Sequence, residues 1–168
     1  MTNLKKISFY KKITEAVIDG DSNKLKILLT QLKDSFDCIE ALNEASKNGY
    51  DECVKLFISK SNIKINKSQA LFLASINGHA ECVKLLIPVH DPRDNNSHEL
   101  RSSTQNNHND CVELLLPYSD ISARRLKDWK CISSDIKQVI LSYFSKITLN
   151  YNLLSKDEIA KFRKNNKI

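Results

Sequence analysis

The chain has 168 residues, of which 41% are hydrophobic and 27% charged, and it carries a formal net charge of +6 at pH 7. These proportions are typical of a folded protein and exclude an intrinsically disordered chain. The length indicates one domain, and no apolar run approaches the roughly 18–20 residues of a membrane-spanning helix.

One segment recurs four times within residues 12–116. The copies are equally spaced, because the residue number of the turn position rises by 29 from each copy to the next: Gly20, Gly49, Gly78 and Asn107. Three cysteines keep the same spacing: Cys53, Cys82 and Cys111. A constant step over four copies indicates one structural unit stacked on itself. We place the units near residues 12–38, 39–67, 68–96 and 97–117.

The third copy indicates what each unit contains. Leu71 and Ala74 lie three residues apart, on one face of a first short helix. After Gly78, residues 82–87 supply a wide apolar stripe for a second helix. A residue with positive φ ends the first helix, and asparagine, which the fourth copy has, is the best substitute for glycine there. The sequence therefore predicts an all-α helical solenoid of about four helix-turn-helix repeats over residues 1–117.

Residues 118–168 follow the array and hold the excess charge. They contain eleven Lys and Arg against five Asp and Glu, which accounts for the whole net charge of +6 and leaves residues 1–117 neutral. Residues 121–130 and 134–144 are predicted to be helical, and residues 155–158 have the form of a capping box that starts a short basic helix. A terminal repeat must present a polar outer face to water, so we predict a basic helical C-terminal cap or tail.

The segment from Asn77 to Ile87, preceded by Ala70 to Ala74, resembles the ankyrin repeat, and the resemblance covers about residues 12–116. It implies a non-catalytic protein-protein interaction module with an ankyrin-like solenoid fold. Two features depart from the family. Gln69–Phe72 stands where the family has Thr-Pro-Leu-His, and the period of 29 is shorter than the usual one of roughly 33. We therefore expect the β-hairpin between units to be shortened or missing, so that binding relies more on the first helices.

The resemblance also indicates which residues contact a partner. In ankyrin proteins the positions just before the Gly-His turn line the concave groove, and positions that vary between copies are not needed for packing. We predict that a partner protein contacts the following residues: Lys47, Asn48, Phe72, Ile76, Asn77, Arg101, Gln105 and Asn106. Ile76 is either the anchor of this site or a packing residue against the neighbouring unit. Glu44 and Ser102 stand where the family has leucine, which indicates either looser packing or polar contacts.

The cysteines and histidines predict no disulfide, no metal site and no cofactor. The repeated cysteines occupy an aliphatic position, and stacked helices lie about 8–10 Å apart, beyond the roughly 7 Å limit on the Cα separation of a disulfide. His79 and His108 lie one repeat apart, too far to share a zinc ion, and the resemblance implies a structural hydrogen bond for this histidine. The chain also lacks a glycine-rich phosphate loop and a nucleophile elbow, so we predict that it is not an enzyme.

Two alternatives concern the C-terminal residues. Cys131–Phe144 is similar to the opening of F-box-like segments, with Ser133 in place of the typical proline. This similarity implies a ubiquitin-ligase substrate adaptor in which residues 131–146 bind the ligase linker protein. The other alternative is polyanion binding by the basic tail, although no aromatic-basic platform for nucleic acid accompanies the charge.

The composition also bears on the setting of the protein. The first ten residues lack the uninterrupted apolar core of a signal peptide, so we expect a cytoplasmic protein. We also expect a monomer. Richness in Lys, Asn and Ile is typical of an AT-rich genome, such as that of a virus or an intracellular bacterium. This composition favours a host-interaction role, as an effector in the host cytoplasm.

Overall fold

The computed structural model describes residues 3–32, 36–60, 63–64, 67–90, 98–119 and 133–152. These residues belong to two compact units, Met1–His90 and Asp91–Ile168, which are described in turn. The boundary expected between the array and the cap, after residue 117, stays a prediction.

The described part of the first unit contains three helical hairpins. In each hairpin a short turn joins a first helix to a second helix. The helices are, in chain order, α1 (Asn3–Ile18), α2 (Ser22–Thr30), α3 (Ile39–Asn48), α4 (Asp51–Ser59), α5 (Lys67–Ile76) and α6 (Ala80–Leu86). The first helices α1, α3 and α5 pack in one row, and the second helices α2, α4 and α6 pack in another. Each hairpin therefore covers the next, as the stacking prediction requires.

The core of this unit repeats with the same step as the sequence. Ile13, Leu42 and Leu71 occupy equivalent positions of the three first helices and are fully buried. Val54 and Val83 do the same in the second helices. Burying such a side chain stabilises the fold by about 1.5–3 kcal/mol. Because helices of this length are marginal alone, the stacking of hairpins provides most of their stability.

The buried stripe of the second helices is narrower than the sequence pattern predicted. In α6, Cys82, Val83 and Leu86 are buried, whereas Leu85 and Ile87 are partly exposed. The positions i, i+1 and i+4 face the core, and the i+3 position lies at its margin. The predicted stripe was therefore right in position and too wide.

The turns have the predicted backbone conformation. The φ angle is 66° at Gly20, 74° at Gly49 and 78° at Gly78. Among the described residues other than glycine, only Asn107 has a positive φ, at 59°. This conformation costs an ordinary L-residue about 1–2 kcal/mol, and glycine and asparagine are the residues that adopt it routinely. The placement of the four turns is confirmed.

The connectors between hairpins hold two very short strands. β1 (Phe36–Asp37) lies between α2 and α3, and β2 (Ile63–Lys64) lies between α4 and α5. The two strands pair in parallel, with Phe36 opposite Ile63. Each of these two connectors thus contributes one strand of two residues in its described part, where an ankyrin hairpin would contribute two.

The second unit contains a further hairpin and a longer helix. Its described elements are α7 (His98–Gln105), α8 (Asn109–Leu115), a 3-10 turn (Leu116–Tyr118) and α9 (Ser134–Asn152). Helix α9 packs against α8, and Ile136 and Ile140 of α9 are buried. The helix predicted from residue 134 is present and runs beyond residue 144. The helix predicted at 121–130 and the capping box at 155–158 lie outside the described residues.

The architecture is therefore an all-α helical solenoid with a helical C-terminal cap, as predicted. No helix in the described ranges combines the length and the apolar character needed to cross a bilayer.

Candidate functional site

The side of the first helices that points away from the core is named here the first-helix face. On α3 it consists of Glu40, Asn43, Glu44 and Lys47, which follow the i, i+3, i+4, i+7 spacing of one helix side. The equivalent residues of the neighbouring helices are Lys11, Thr14, Glu15 and Ile18 on α1, and Gln69, Phe72, Leu73 and Ile76 on α5. Because the three helices pack side by side, equivalent residues form rows across the face.

The α1 and α3 parts of this face are charged. Glu15 lies 4.0 Å from Lys11, and Glu44 lies 3.8 Å from Lys47, measured between carboxylate oxygen and ammonium nitrogen. All four side chains are at least 37% exposed. Exposed pairs of this kind contribute about 0–1 kcal/mol, so they hold these side chains only weakly.

The beginning of α3 lies near two carboxylates, those of Asp37 and Glu40. The pKa of Tyr10 is raised to about 12, mainly because the side chain is partly buried and also through electrostatic interactions with Asp37, Cys38 and Glu40. Glu40 is exposed and makes no ion pair with another described residue. Among the described side chains, none neutralises this carboxylate.

The α5 part of the face is apolar. Phe72, Leu73 and Ile76 are partly exposed, and the one polar residue of this helix side, Gln69, carries no charge. At the far side of the face, Ile18 is 58% exposed. The face thus combines an apolar helix with a charged neighbour.

The asparagines just before the turns have a structural role that the sequence did not reveal. Each donates a hydrogen bond from Nδ2 to the carbonyl four residues earlier: Asn48 to Glu44 at 2.9 Å, Asn77 to Leu73 at 2.8 Å and Asn106 to Ser102 at 2.8 Å. These bonds satisfy carbonyl groups at the ends of the first helices. All three side chains are also exposed, and those of Asn48 and Asn77 lie at the edge of the first-helix face.

The eight residues predicted to contact a partner fall into two groups. Lys47 and Asn48 lie on α3, and Phe72, Ile76 and Asn77 lie on α5 or directly after it. Since α3 and α5 pack against each other, these five share one surface. The remaining three, Arg101, Gln105 and Asn106, are exposed on α7 and its C-terminal turn in the second unit.

Sequence reasoning missed Glu40 and Leu73 as members of this face. A signal for both was present, because Glu40 lies two helical turns before Lys47 and Leu73 lies one full repeat after Glu44. Glu44 itself accepts a hydrogen bond from Asn48 at 2.8 Å, so a polar contact and not a core position explains its departure from leucine. Ser102, in contrast, is buried.

A repeated contact holds neighbouring first helices in register. The Nε2–H group of His79 donates a hydrogen bond to the carbonyl of Lys47 at 2.8 Å. One repeat earlier, the hydroxyl of Tyr50 occupies the same position and donates to the carbonyl of Ile18 at 3.4 Å. The structural hydrogen bond implied for His79 is therefore confirmed. It anchors the end of α3, where Lys47 and Asn48 lie.

The rings of these donors also cover the turn glycines. A Cβ atom added at Gly49 would lie 2.8 Å from Cε1 of His79, and one added at Gly20 would lie 3.1 Å from Cε1 of Tyr50. Contacts under 3.0 Å are not tolerated between a Cβ atom and a ring. Glycine at position 49 is thus required by its neighbour as well as by its φ angle.

The described cysteines are buried free thiols. Burial, with a smaller effect of Asp37, raises the pKa of Cys38 to about 12, and burial with Asp110 raises that of Cys111 to about 11. Their thiols are therefore neutral near pH 7 and are poor nucleophiles. The prediction that the repeated cysteines act as buried apolar residues is confirmed, whereas Cys131 lies outside the described residues.

The raised pKa values of Cys38 and Cys111 predict that the folded chain loses stability at high pH. In the unfolded chain a cysteine ionises near its ordinary pKa of 9.0, whereas the folded chain keeps Cys38 and Cys111 protonated to higher pH. Their contribution is complete below pH 9 and is lost as the pH rises toward 11, by at most about 1.4 kcal/mol per pH unit and thiol, and by less where solvent reaches the sulfur. Urea unfolding at pH 8, 9 and 10 measures this. A Cys38→Ala/Cys111→Ala variant should show a flatter dependence, and an equal slope in both proteins would contradict the assignment.

The described residues include no group of three or more His, Cys, Asp and Glu side chains placed to hold a metal ion.

Comparison with known proteins agrees with the helix pairs and their turns. The family model for ankyrin repeats, built from three copies, matches residues 13–98 and 42–125, which together make up more than half of the chain. No curated protein matches the sequence. Ankyrin repeats are protein-protein interaction modules and are generally non-catalytic. The chain belongs to the ankyrin repeat family.

Proposed function

We propose that the chain binds a partner protein on its first-helix face. The observation that carries this proposal is the row of partly exposed apolar side chains on α5, next to the charged side chains of α3. Interfaces commonly combine an apolar centre with a polar rim. The connectors support the same choice, because β1 and β2 have two residues each and already pair with one another.

Leu73 and Ile76 are the anchors in this proposal. They lie three residues apart on the same side of α5, and neither is fully buried. An aliphatic side chain surrounded by polar neighbours becomes desolvated when a partner covers it, and such positions often dominate binding energy. Ile76 would then both pack within the unit and contact the partner, because its side chain is only partly buried.

A charge placed at an anchor should prevent binding. We expect Leu73→Arg and Ile76→Arg to weaken capture of the partner by at least about tenfold, since each buries an unpaired cation at the centre of the interface. Capture by the full-length chain, quantified by mass spectrometry, measures this effect. The matched control is Ile27→Arg, which places the same charge at an isoleucine of α2 that is 61% exposed. Partner capture that survives both α5 substitutions but is lost in the control would place the site elsewhere. Circular dichroism of each variant would test whether it is still folded.

The proposal extends to the setting in which the partner is met. The composition, rich in Lys, Asn and Ile, supports an effector of a virus or an intracellular bacterium that acts in the host cytoplasm. The partner is then a host protein, and capture from a host lysate is the appropriate form of the experiment above.

The ubiquitin-ligase adaptor is the alternative that concerns the C-terminal helix. Ile136 and Ile140 belong to the aliphatic pattern on which that similarity rests, and both are buried in the unit where α9 packs against α8. This burial supports a cap, because a linker protein would need the same side chains.

We therefore expect the F-box-binding linker protein not to be retained by the full-length chain. Retention by the full-length chain together with loss on truncation at residue 120 would revive the adaptor. Salt-sensitive retention on heparin that depends on the same truncation would instead identify a polyanion-binding tail.

A further inference from the structure

We propose that the segment bound on the first-helix face presents a lysine or arginine next to an aliphatic or aromatic side chain. This inference rests on the function proposed above and specifies the chemistry of its partner. The bound molecule is a peptide segment of another protein. Its chemistry is inferred from the charged groups and the hydrogen-bond acceptor of α3.

The beginning of α3 offers carboxylates with little internal compensation. Glu40 is exposed, and Glu44 is 37% exposed at its side chain. The cation of this helix, Lys47, lies seven residues after Glu40, a rise of about 10 Å along the axis. It pairs with Glu44 instead. A cation from a partner would therefore meet, at Glu40, a carboxylate that no described side chain compensates.

Asn43 adds an acceptor at the same place. It lies between Glu40 and Glu44 on the same helix side, and its Oδ1 atom is buried without a hydrogen bond from any described residue. A buried acceptor left unsatisfied costs about 1–3 kcal/mol. The Asn43 side chain as a whole is only partly buried, so a rotation that brings Oδ1 to the surface would let an N–H donor from a partner remove this cost. Ammonium and guanidinium groups supply three and five such donors, and their positive charge would pair with the carboxylate of Glu40.

The repeat also indicates where an apolar side chain of the partner would bind relative to its cation. Asn43 and Phe72 occupy equivalent positions in successive copies, on helices that pack against each other. A side chain bound over α5 therefore lies one helix away from a cation bound over α3, at the roughly 8–10 Å that separates packed helices. Residues a few positions apart in one peptide span this distance.

A polyanion does not fit this surface. The first-helix face of α1, α3 and α5 carries three acidic and two basic residues, so it lacks the excess of positive charge that attracts a phosphate backbone. Electrostatic complementarity of this kind chiefly sets specificity and the rate of association.

Selection from a phage-displayed random-peptide library on the full-length chain tests this inference. We expect the enriched peptides to carry Lys or Arg within a few residues of Leu, Ile or Phe, and to bind more weakly as salt rises. Fluorescence polarisation should show that Glu40→Lys/Glu44→Lys weakens them by at least about tenfold. The matched control, Glu52→Lys/Glu81→Lys, makes the same charge change at exposed positions of α4 and α6 and should change affinity by less than about twofold.

The outcomes separate this inference from the proposed function. Leu73→Arg reports on the face itself. Peptides that lose affinity in Leu73→Arg but carry no cation, or tolerate Glu40→Lys/Glu44→Lys, would overturn the inference and leave the proposed function intact. Peptides that bind Leu73→Arg as well as the natural chain, or a selection without any peptide specific for the face, would count against both.

Discussion

Gly49→Ala should destabilise the chain by about 2–4 kcal/mol, the combined effect of a positive φ and a steric overlap. The φ angle of 74° disfavours any L side chain, and the new methyl group would overlap the imidazole ring of His79. Moving this ring would also break its hydrogen bond to the carbonyl of Lys47. Urea unfolding followed by circular dichroism measures the change.

Two variants make this prediction specific. At Gly20 the added Cβ would lie 3.1 Å from Tyr50, so the ring needs to yield only a few tenths of an ångström and Gly20→Ala should cost less. In the double variant Gly49→Ala/His79→Ala the overlap is removed, so the combined loss should be smaller than the sum of the two single losses. Strict additivity would mean that the ring does not cover the turn.

Phe57→Ala should cost about 3–5 kcal/mol, because it leaves a cavity in a stack whose stability is shared between neighbours. Phe57 is a large side chain of α4 that is fully buried, and α4 packs between α2 and α6. The adjacent Leu56 is partly exposed, so Leu56→Ala is the control and should cost clearly less. Thermal and urea unfolding of both variants test this. Equal losses would show that the two side chains are packed alike.

The turns illustrate what could be predicted from residues alone. A positive φ restricts the position almost entirely to glycine and asparagine, so the chemical identity of the residue reports the backbone directly. The constant spacing between turns then located all four hairpins. The burial of the cysteines could be predicted in the same way, because Cys53, Cys82 and Cys111 occupy equivalent positions of successive repeats.

The candidate site was only partly predictable. Lys47, Phe72 and Ile76 were placed on neighbouring helices correctly, because the constant repeat spacing located both helices; their contact with a partner stays a prediction. The amide bonds of Asn48 and Asn77 were missed, since an exposed asparagine before a turn is equally compatible with binding and with capping. Glu40 and Leu73 could have been placed on this face from the helical spacing and the repeat step, whereas how far each side chain is exposed depends on the rotation of its helix.

The sequence by itself determined the repeating unit, its length and its turns, because these depend on backbone preferences and on periodic burial within each copy. Only the tertiary structure decided how one copy contacts the next. The bonds from Tyr50 to Ile18 and from His79 to Lys47 join residues 32 positions apart, and no local preference encodes them. The same stacking left α3 charged and α5 apolar on one surface, because solvent exposure is set by which neighbour covers each helix.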